Sequence, residues 1–224
     1  MTSIFGFLSQ QMKREWLIQM RQKKSWLNSL LFFAMILLFF PMTLPADPQL
    51  ERIMVPGLVW IALLLAYLLA AERLFQVDYD EGVIDLWLVS GQPLTLLVCA
   101  KVFVHWFLMI LPLLGLMPLI ALLFHMPAHV IMALCASLLC GTLPIILLSA
   151  LAAAFSTVLP QKGVLMGLVV LPLITPILIL GSATTTAAMA NLPIGGYLAY
   201  LAALSCLSLA TLPSAVAGVM KTSV

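Results

Sequence analysis

Long runs of apolar residues, separated by short polar stretches, make up most of this chain. A helix needs about 20 apolar residues to cross the hydrocarbon core of a bilayer, so each long run predicts one membrane span. The predicted spans are residues 26–45, 53–71, 102–124, 128–158, 164–183 and 195–219. We therefore expect an all-α integral membrane protein whose residues 1–224 form a single transmembrane domain.

The composition supports this prediction. Hydrophobic residues make up 64% of the 224 residues and charged residues only 8%, whereas soluble domains carry about 25% charged residues. After six spans and their connections, too little chain remains for a soluble catalytic domain.

The basic residues predict the orientation, because cytoplasmic loops of membrane proteins carry an excess of Lys and Arg. Placing the N-terminus in the cytoplasm puts nine of the ten basic residues on that side and only Arg52 on the other. The nine are Lys13, Arg14, Arg21, Lys23, Lys24, Arg73, Lys101, Lys162 and Lys221. Both termini are therefore predicted to be cytoplasmic.

Residues 1–25 predict an amphipathic helix lying at the inner membrane surface. Apolar residues recur there at helical spacing, opposite basic ones. The apolar set is Phe5, Leu8, Met12, Trp16 and Met20, and the basic set is Lys13, Arg14, Arg21 and Lys24. Because the basic region is long and the first span ends in Pro41-Met42-Thr43-Leu44-Pro45, we expect a retained first helix and not a cleaved signal peptide.

An acidic stretch interrupts this apolar chain. Residues 72–85 hold five of its eight carboxylates, and residues 72–93 lie between spans two and three, on the predicted cytoplasmic side. If residues 78–90 are helical, the acidic and apolar residues separate onto two faces, with a break into two short turns possible at Gly82. The acidic face is Asp78, Glu81 and Asp85, and the apolar face is Tyr79, Val83, Leu86 and Trp87. A solvated loop is the alternative, but apolar residues beside the charges favour a segment that binds a protein partner.

Residues 181–194 are small and weakly polar, and predict an external or re-entrant connection. Within span four, small residues recur at a spacing of four, which favours close helix packing. These pairs are Ser149 with Ala153 and Ala152 with Ser156.

Motifs of enzyme chemistry are absent from the sequence. It contains no P-loop, HExxH or GxSxG, so no catalytic residue is assigned and any ATP must be hydrolysed by another protein. No pattern of basic and aromatic residues suggests nucleic acid binding. The cysteines lack metal or redox spacing and are interpreted as packing residues; they are Cys99, Cys135, Cys140 and Cys206.

Two polar residues enter span three on one helix face, Lys101 and His105, and are candidates for an intramembrane function. The alternatives are a lysine that extends to the headgroups and a neutral, hydrogen-bonded histidine at a helix interface. His125 and His129 are also four apart, but Pro127 between them disfavours a shared metal, so no metal site is expected.

Short motifs follow one another in a particular order along nearly the whole chain. They are Pro56-Gly57-Leu58-Val59-Trp60, Glu72-Arg73-Leu74-Phe75 with Asp78, Glu81-Gly82, Pro93, Lys101-Val102, His105-Trp106, Leu171-Pro172-Leu173, and Leu192-Pro193 before Gly196-Tyr197. Their order and spacing, together with the six spans and the acidic cytoplasmic segment, resemble an ABC-2 type exporter subunit and in particular the heme exporter protein B family, CcmB.

The resemblance implies a permease-like subunit of an ABC transporter complex for c-type cytochrome biogenesis in the bacterial inner membrane. It implies a cytoplasmic ABC ATPase subunit (CcmA-like), a heme-handling membrane protein (CcmC-like) and a small one-span membrane protein (CcmD-like) as partners. ATP would bind the ATPase, and its hydrolysis would drive heme export or release of a heme-loaded periplasmic chaperone. Heme would be handled by the complex, with no cofactor assigned to this chain. The residues implied to dock the ATPase are Asp78, Asp80, Glu81, Gly82 and Asp85.

Two alternatives remain at this stage. The chain could be an ABC-2 permease that exports another hydrophobic or lipid-linked substrate, or a passive scaffold for heme-handling membrane proteins. Neighbouring genes would separate these hypotheses: a gene for a heme-binding membrane protein favours the first function, and glycan genes favour export of another substrate.

Overall fold

The computed structural model describes residues 4–21, 24–43, 48–158 and 162–221. In this part of the chain the regular secondary structure is entirely α-helical. The helices are α1 Ile4–Arg21, α2 Lys24–Thr43, α3 Pro48–Ala71, α4 Gln76–Asp80, α5 Val83–Val89, α6 Leu94–Gly115, α7 Met117–Leu123, α8 Ala128–Val158, α9 Lys162–Met189 and α10 Gly195–Lys221.

Within the residues that the structure describes, six helical segments are long and apolar enough to cross a membrane, as the sequence predicts. They are Trp26–Thr43, Ile53–Asp80, Leu94–Leu123, Ala128–Ser156, Val170–Met189 and Gly195–Lys221. The predicted end of the first span, residues 44–45, and the basic residue Lys23 lie outside the described residues.

Two predicted boundaries differ clearly from the ends of the helices. Span three begins at Leu94, directly after the extended backbone of Pro93, and not at residue 102. Lys101 therefore lies in the second turn of α6, and His105 one turn further on. Residues 181–189 continue α9, because the Thr side chains there hydrogen-bond to carbonyl oxygens one turn earlier and fit within a helix. The connection predicted over 181–194 is therefore only residues 190–194.

Helix α8 lies at the centre of the bundle, in contact with α3, α6, α9 and α10. Its small residues allow this close approach, because small side chains let helix backbones come together. The predicted pairs, Ser149 with Ala153 and Ala152 with Ser156, are all buried.

A single tryptophan joins three of these helices. Trp60 of α3 is fully buried, and its indole ring packs against Gly141 of α8 and Gly181 of α9. A Cβ atom on Gly141 would lie 2.5 Å from Trp60 Cη2, and one on Gly181 would overlap the same ring. Only glycine leaves room for the indole at these two positions.

The N-terminal helix α1 packs along α6, where the Trp16 and Phe107 ring centroids lie 6.0 Å apart. Its inward face is polar: Gln11, Glu15 and Gln19, each four residues apart, are buried. Leu17 and Met20 are exposed at the surface. Helix α1 is therefore amphipathic, as predicted, but a polar stripe faces the protein.

Candidate functional site

The acidic segment forms two short helices, α4 and α5, and not one continuous helix. Gly82 separates them with a φ of +70°, and Gly91 ends the segment with a φ of +67°. Side chains other than glycine rarely adopt this left-handed backbone conformation, because their Cβ crowds the following carbonyl oxygen. The break considered at Gly82 is thus present, and it changes the helical phase between the two halves.

Because of this change in phase, the predicted division into an acidic and an apolar face is wrong. Tyr79 and Leu86, predicted on the apolar face, are 44% and 61% exposed, and Val89 is 81% exposed. Trp87 of the predicted apolar face is buried, and so is Ile84, which belonged to neither predicted face. The exposed surface of α4 and α5 therefore combines carboxylates with apolar side chains.

The predicted docking residues also fall into two groups. Four of them are exposed: Asp80, Glu81, Gly82 and Asp85. We call the carboxylates of Asp80, Glu81 and Asp85, together with the exposed side chains of Leu86 and Val89, the acidic surface. Asp78 is buried and points the other way, with Oδ2 lying 2.5 Å from Lys101 Nζ. Asp78 is not part of the acidic surface, which corrects its predicted position.

Lys101 lies at the centre of a buried ionic cluster. Its Nζ lies 2.5 Å from Asp78 of α4 and 3.4 Å from Glu15 Oε2 of α1, and the three side chains are 6%, 12% and 2% exposed. The alternative that Lys101 extends to the lipid headgroups is therefore wrong for this structure. One cation is held between two carboxylates from two different helices.

Neighbouring polar side chains fix α1 against α6. His105 Nδ1 donates to Gln19 Oε1 at 3.0 Å, and Gln19 Nε2 donates to the Lys101 carbonyl oxygen at 3.4 Å. Gln11 Nε2 donates to Glu15 Oε1 at 3.1 Å, which leaves Glu15 Oε2 for Lys101. His105 is thus a buried, hydrogen-bonded histidine at a helix interface, the simpler of the two hypotheses for this residue.

A cleft of about 150 Å³ borders this cluster. Lys101 and His105 line it together with Arg14 of α1 and Arg73, which follows α3. The cleft provides space beside the ion pairs into which a side chain can move.

Sequence reasoning missed Glu15 and its two glutamine neighbours. The available signal was the spacing of four between Gln11, Glu15 and Gln19, which matches the spacing between Lys101 and His105. Residues four apart lie on one face of a helix, so the polar faces of two different helices are able to contact each other.

The remaining candidates do not form a site. His125 has a φ of +48° and lies between α7 and α8, so it does not share a helix face with His129. Among the described residues, no group of three or more His, Cys, Asp or Glu side chains is placed to hold a metal ion. The four cysteines are free thiols within the helical spans.

Comparison with known proteins identifies relatives along the whole chain. The family model described as CcmB protein matches residues 7–223. A "Heme exporter protein B" of Pseudomonas aeruginosa is 41% identical over 224 residues, which cover 100% of this chain and 99% of the relative. Proteins of the same name from Haemophilus influenzae and Escherichia coli K12 are 38% and 37% identical, with 94% and 88% of this chain aligned to 96% and 90% of theirs. The six spans, the short helices after the second span and these near full-length matches lead to one conclusion: this chain belongs to the CcmB protein family.

Proposed function

We propose that this chain is the membrane subunit of an ATP-driven heme export system for c-type cytochrome biogenesis. The observation that supports this most directly is the alignment of nearly the whole chain with relatives named heme exporter protein B. The chain does no ATP chemistry itself in this proposal, because its sequence has no P-loop. A separate cytoplasmic ABC ATPase subunit, CcmA-like, supplies the energy.

The acidic surface is the proposed docking site for that ATPase. Three carboxylates, Asp80, Glu81 and Asp85, stand beside the exposed apolar side chains of Leu86 and Val89. A partner that fits this surface has an apolar pocket with a basic rim, since apolar contacts supply affinity and opposite charges orient the complex.

The other partners and the location follow from the same proposal. The complex lies in the bacterial inner membrane with a heme-handling protein, CcmC-like, and a small one-span protein, CcmD-like. Heme is its substrate, and this chain has no resident cofactor.

Reversing the charge of the acidic surface should release the ATPase. The triple variant Asp80→Lys, Glu81→Lys, Asp85→Lys places cations against the basic rim of the partner, and like charges across an interface oppose binding. We expect ATPase recovery with the tagged chain from detergent-solubilised membranes to fall by about tenfold or more. Quantitative immunoblotting of both subunits measures the ratio.

The matched control for this variant carries Glu72→Lys and Gln92→Lys. Both residues are exposed and belong to the same segment, but they lie outside α4 and α5. ATPase recovery with this control should stay near the wild-type level. Unchanged recovery with the triple variant would show that the ATPase docks elsewhere.

A hydrolysis-deficient ATPase separates an energy-transducing subunit from a passive scaffold. If this chain transmits ATP-driven movement, the complex should still assemble but holocytochrome c should no longer form, because bound ATP is not hydrolysed and the cycle of movement cannot be completed. Heme staining of periplasmic proteins reports maturation, and co-purification reports assembly. Normal maturation with the inactive ATPase would favour the scaffold.

A further inference from the structure

Lys101 is shared between a short helix and a long one. Asp78 belongs to α4, a helix of five residues whose last residue, Asp80, is exposed like the following Glu81. Glu15 belongs to α1, an 18-residue helix that packs along α6. The two carboxylates approach the same ammonium group at 2.5 Å and 3.4 Å.

A buried ammonium group that loses its partner is strongly unfavourable. If Asp78 were the sole partner of Lys101, moving α4 away would leave the charge unpaired inside the protein. Glu15 removes this obstacle, because its Oε2 already lies beside Nζ and can take over the full ion pair. The cleft of about 150 Å³ next to the cluster gives the side chains room to rearrange.

We propose that Lys101 exchanges carboxylate partners during the ATP-driven cycle, from Asp78 at rest to Glu15 when the acidic surface is displaced. Glu15 is then a positioning residue that makes displacement of α4 energetically accessible. This inference rests on the proposed function, since the displacing force is assigned to the docked ATPase.

The surrounding contacts suit this exchange. Gln11 holds Glu15 through Oε1, and Gln19 links α1 to the Lys101 carbonyl oxygen and to His105, so α1 stays on α6 while α4 moves. Asp78 is only two residues from the exposed Asp80, so a force on the acidic surface reaches the ion pair directly. The exchange needs no proton transfer, only the movement of one carboxylate away from Nζ.

The distance between α4 and α1 tests the proposal in the assembled complex. Tyr79→Cys on α4 and Lys13→Cys on α1 provide exposed sites for spin labels, after Cys99, Cys135, Cys140 and Cys206 are replaced with Ala. Pulsed electron resonance then compares nucleotide-free complexes in lipid nanodiscs with ATP-bound complexes of a hydrolysis-deficient ATPase. In the otherwise unmodified complex, ATP should produce a second, longer distance.

Glu15→Gln should reduce the fraction at the longer distance by about tenfold, because displacement now leaves Lys101 without a charged partner. The matched control is Glu72→Gln, the same substitution at an exposed carboxylate outside the cluster, which should behave as the wild type does. Asp78→Asn should give the longer distance without ATP, because α4 has lost its ion pair.

The outcomes separate this inference from the proposed function. If the ATPase fails to co-purify with the wild-type chain, the proposed function is wrong. If the complex assembles but no longer distance appears, or Glu15→Gln and Glu72→Gln give equal fractions of it, partner exchange is wrong. If the Glu15→Gln complex fails to assemble, the Asp78→Asn complex provides the test. The inference is wrong if the distance between α4 and α1 in nucleotide-free Asp78→Asn equals that in the nucleotide-free wild type.

Discussion

Replacing Gly181 with alanine should destabilise the folded protein by about 3 kcal/mol, the upper part of the range for overpacking a buried site. The new Cβ atom would overlap the six-membered ring of Trp60, which is fully buried. Either the indole leaves its rotamer or α9 separates from α3. The decrease in the apparent melting temperature of the purified protein in detergent measures the effect.

Gly218→Ala is the matched control, because Gly218 lies in the membrane helix α10 and an added Cβ there meets nothing within 4 Å. It should be neutral or slightly stabilising, since alanine favours helix over glycine. Combining Gly181→Ala with Trp60→Phe should recover part of the lost stability, because a smaller ring makes room for the methyl group. Equal melting temperatures for Gly181→Ala and Gly218→Ala would contradict this packing.

The spans could be predicted from the sequence because the bilayer imposes a local requirement. A backbone inside lipid must satisfy its own hydrogen bonds, so each crossing is a helix with an apolar run long enough to cover it. That rule uses neighbouring residues alone. The helices nevertheless extend past the predicted spans at Leu94 and at residues 181–189.

The buried cluster could not be predicted in the same way, because its members are distant in the sequence. Glu15 and Lys101 are 86 positions apart, and nothing near either residue shows which helix it will meet. The sequence also predicts the wrong face for Asp78, because a single helical phase across residues 78–90 does not hold at Gly82, where the backbone turns left-handed. Packing between helices determines these pairs, and local spacing shows only that two polar stripes need partners.

Replacing Lys101 with methionine should destabilise the protein by about 3–5 kcal/mol, the usual effect of removing one partner from a buried ion pair. Asp78 and Glu15 would remain as two buried carboxylates without a cation between them. The expected result is lower yield in the membrane and a lower apparent melting temperature in detergent. Lys13→Met on α1 is the matched control, and it should change neither quantity because Lys13 is exposed.

A triple variant distinguishes a charge effect from a loss of packing around Lys101. Lys101→Met combined with Glu15→Gln and Asp78→Asn removes all three charges at similar volume, so most of the stability should return. If it remains as unstable as Lys101→Met alone, the unpaired carboxylates are not the cause. The stable triple variant should nevertheless fail to support cytochrome maturation, because no ion pair is left to hold α4 at rest and none can form with position 15 when α4 moves. Stability recovered without activity would therefore assign the charges of Asp78, Lys101 and Glu15 to transmission and not to folding.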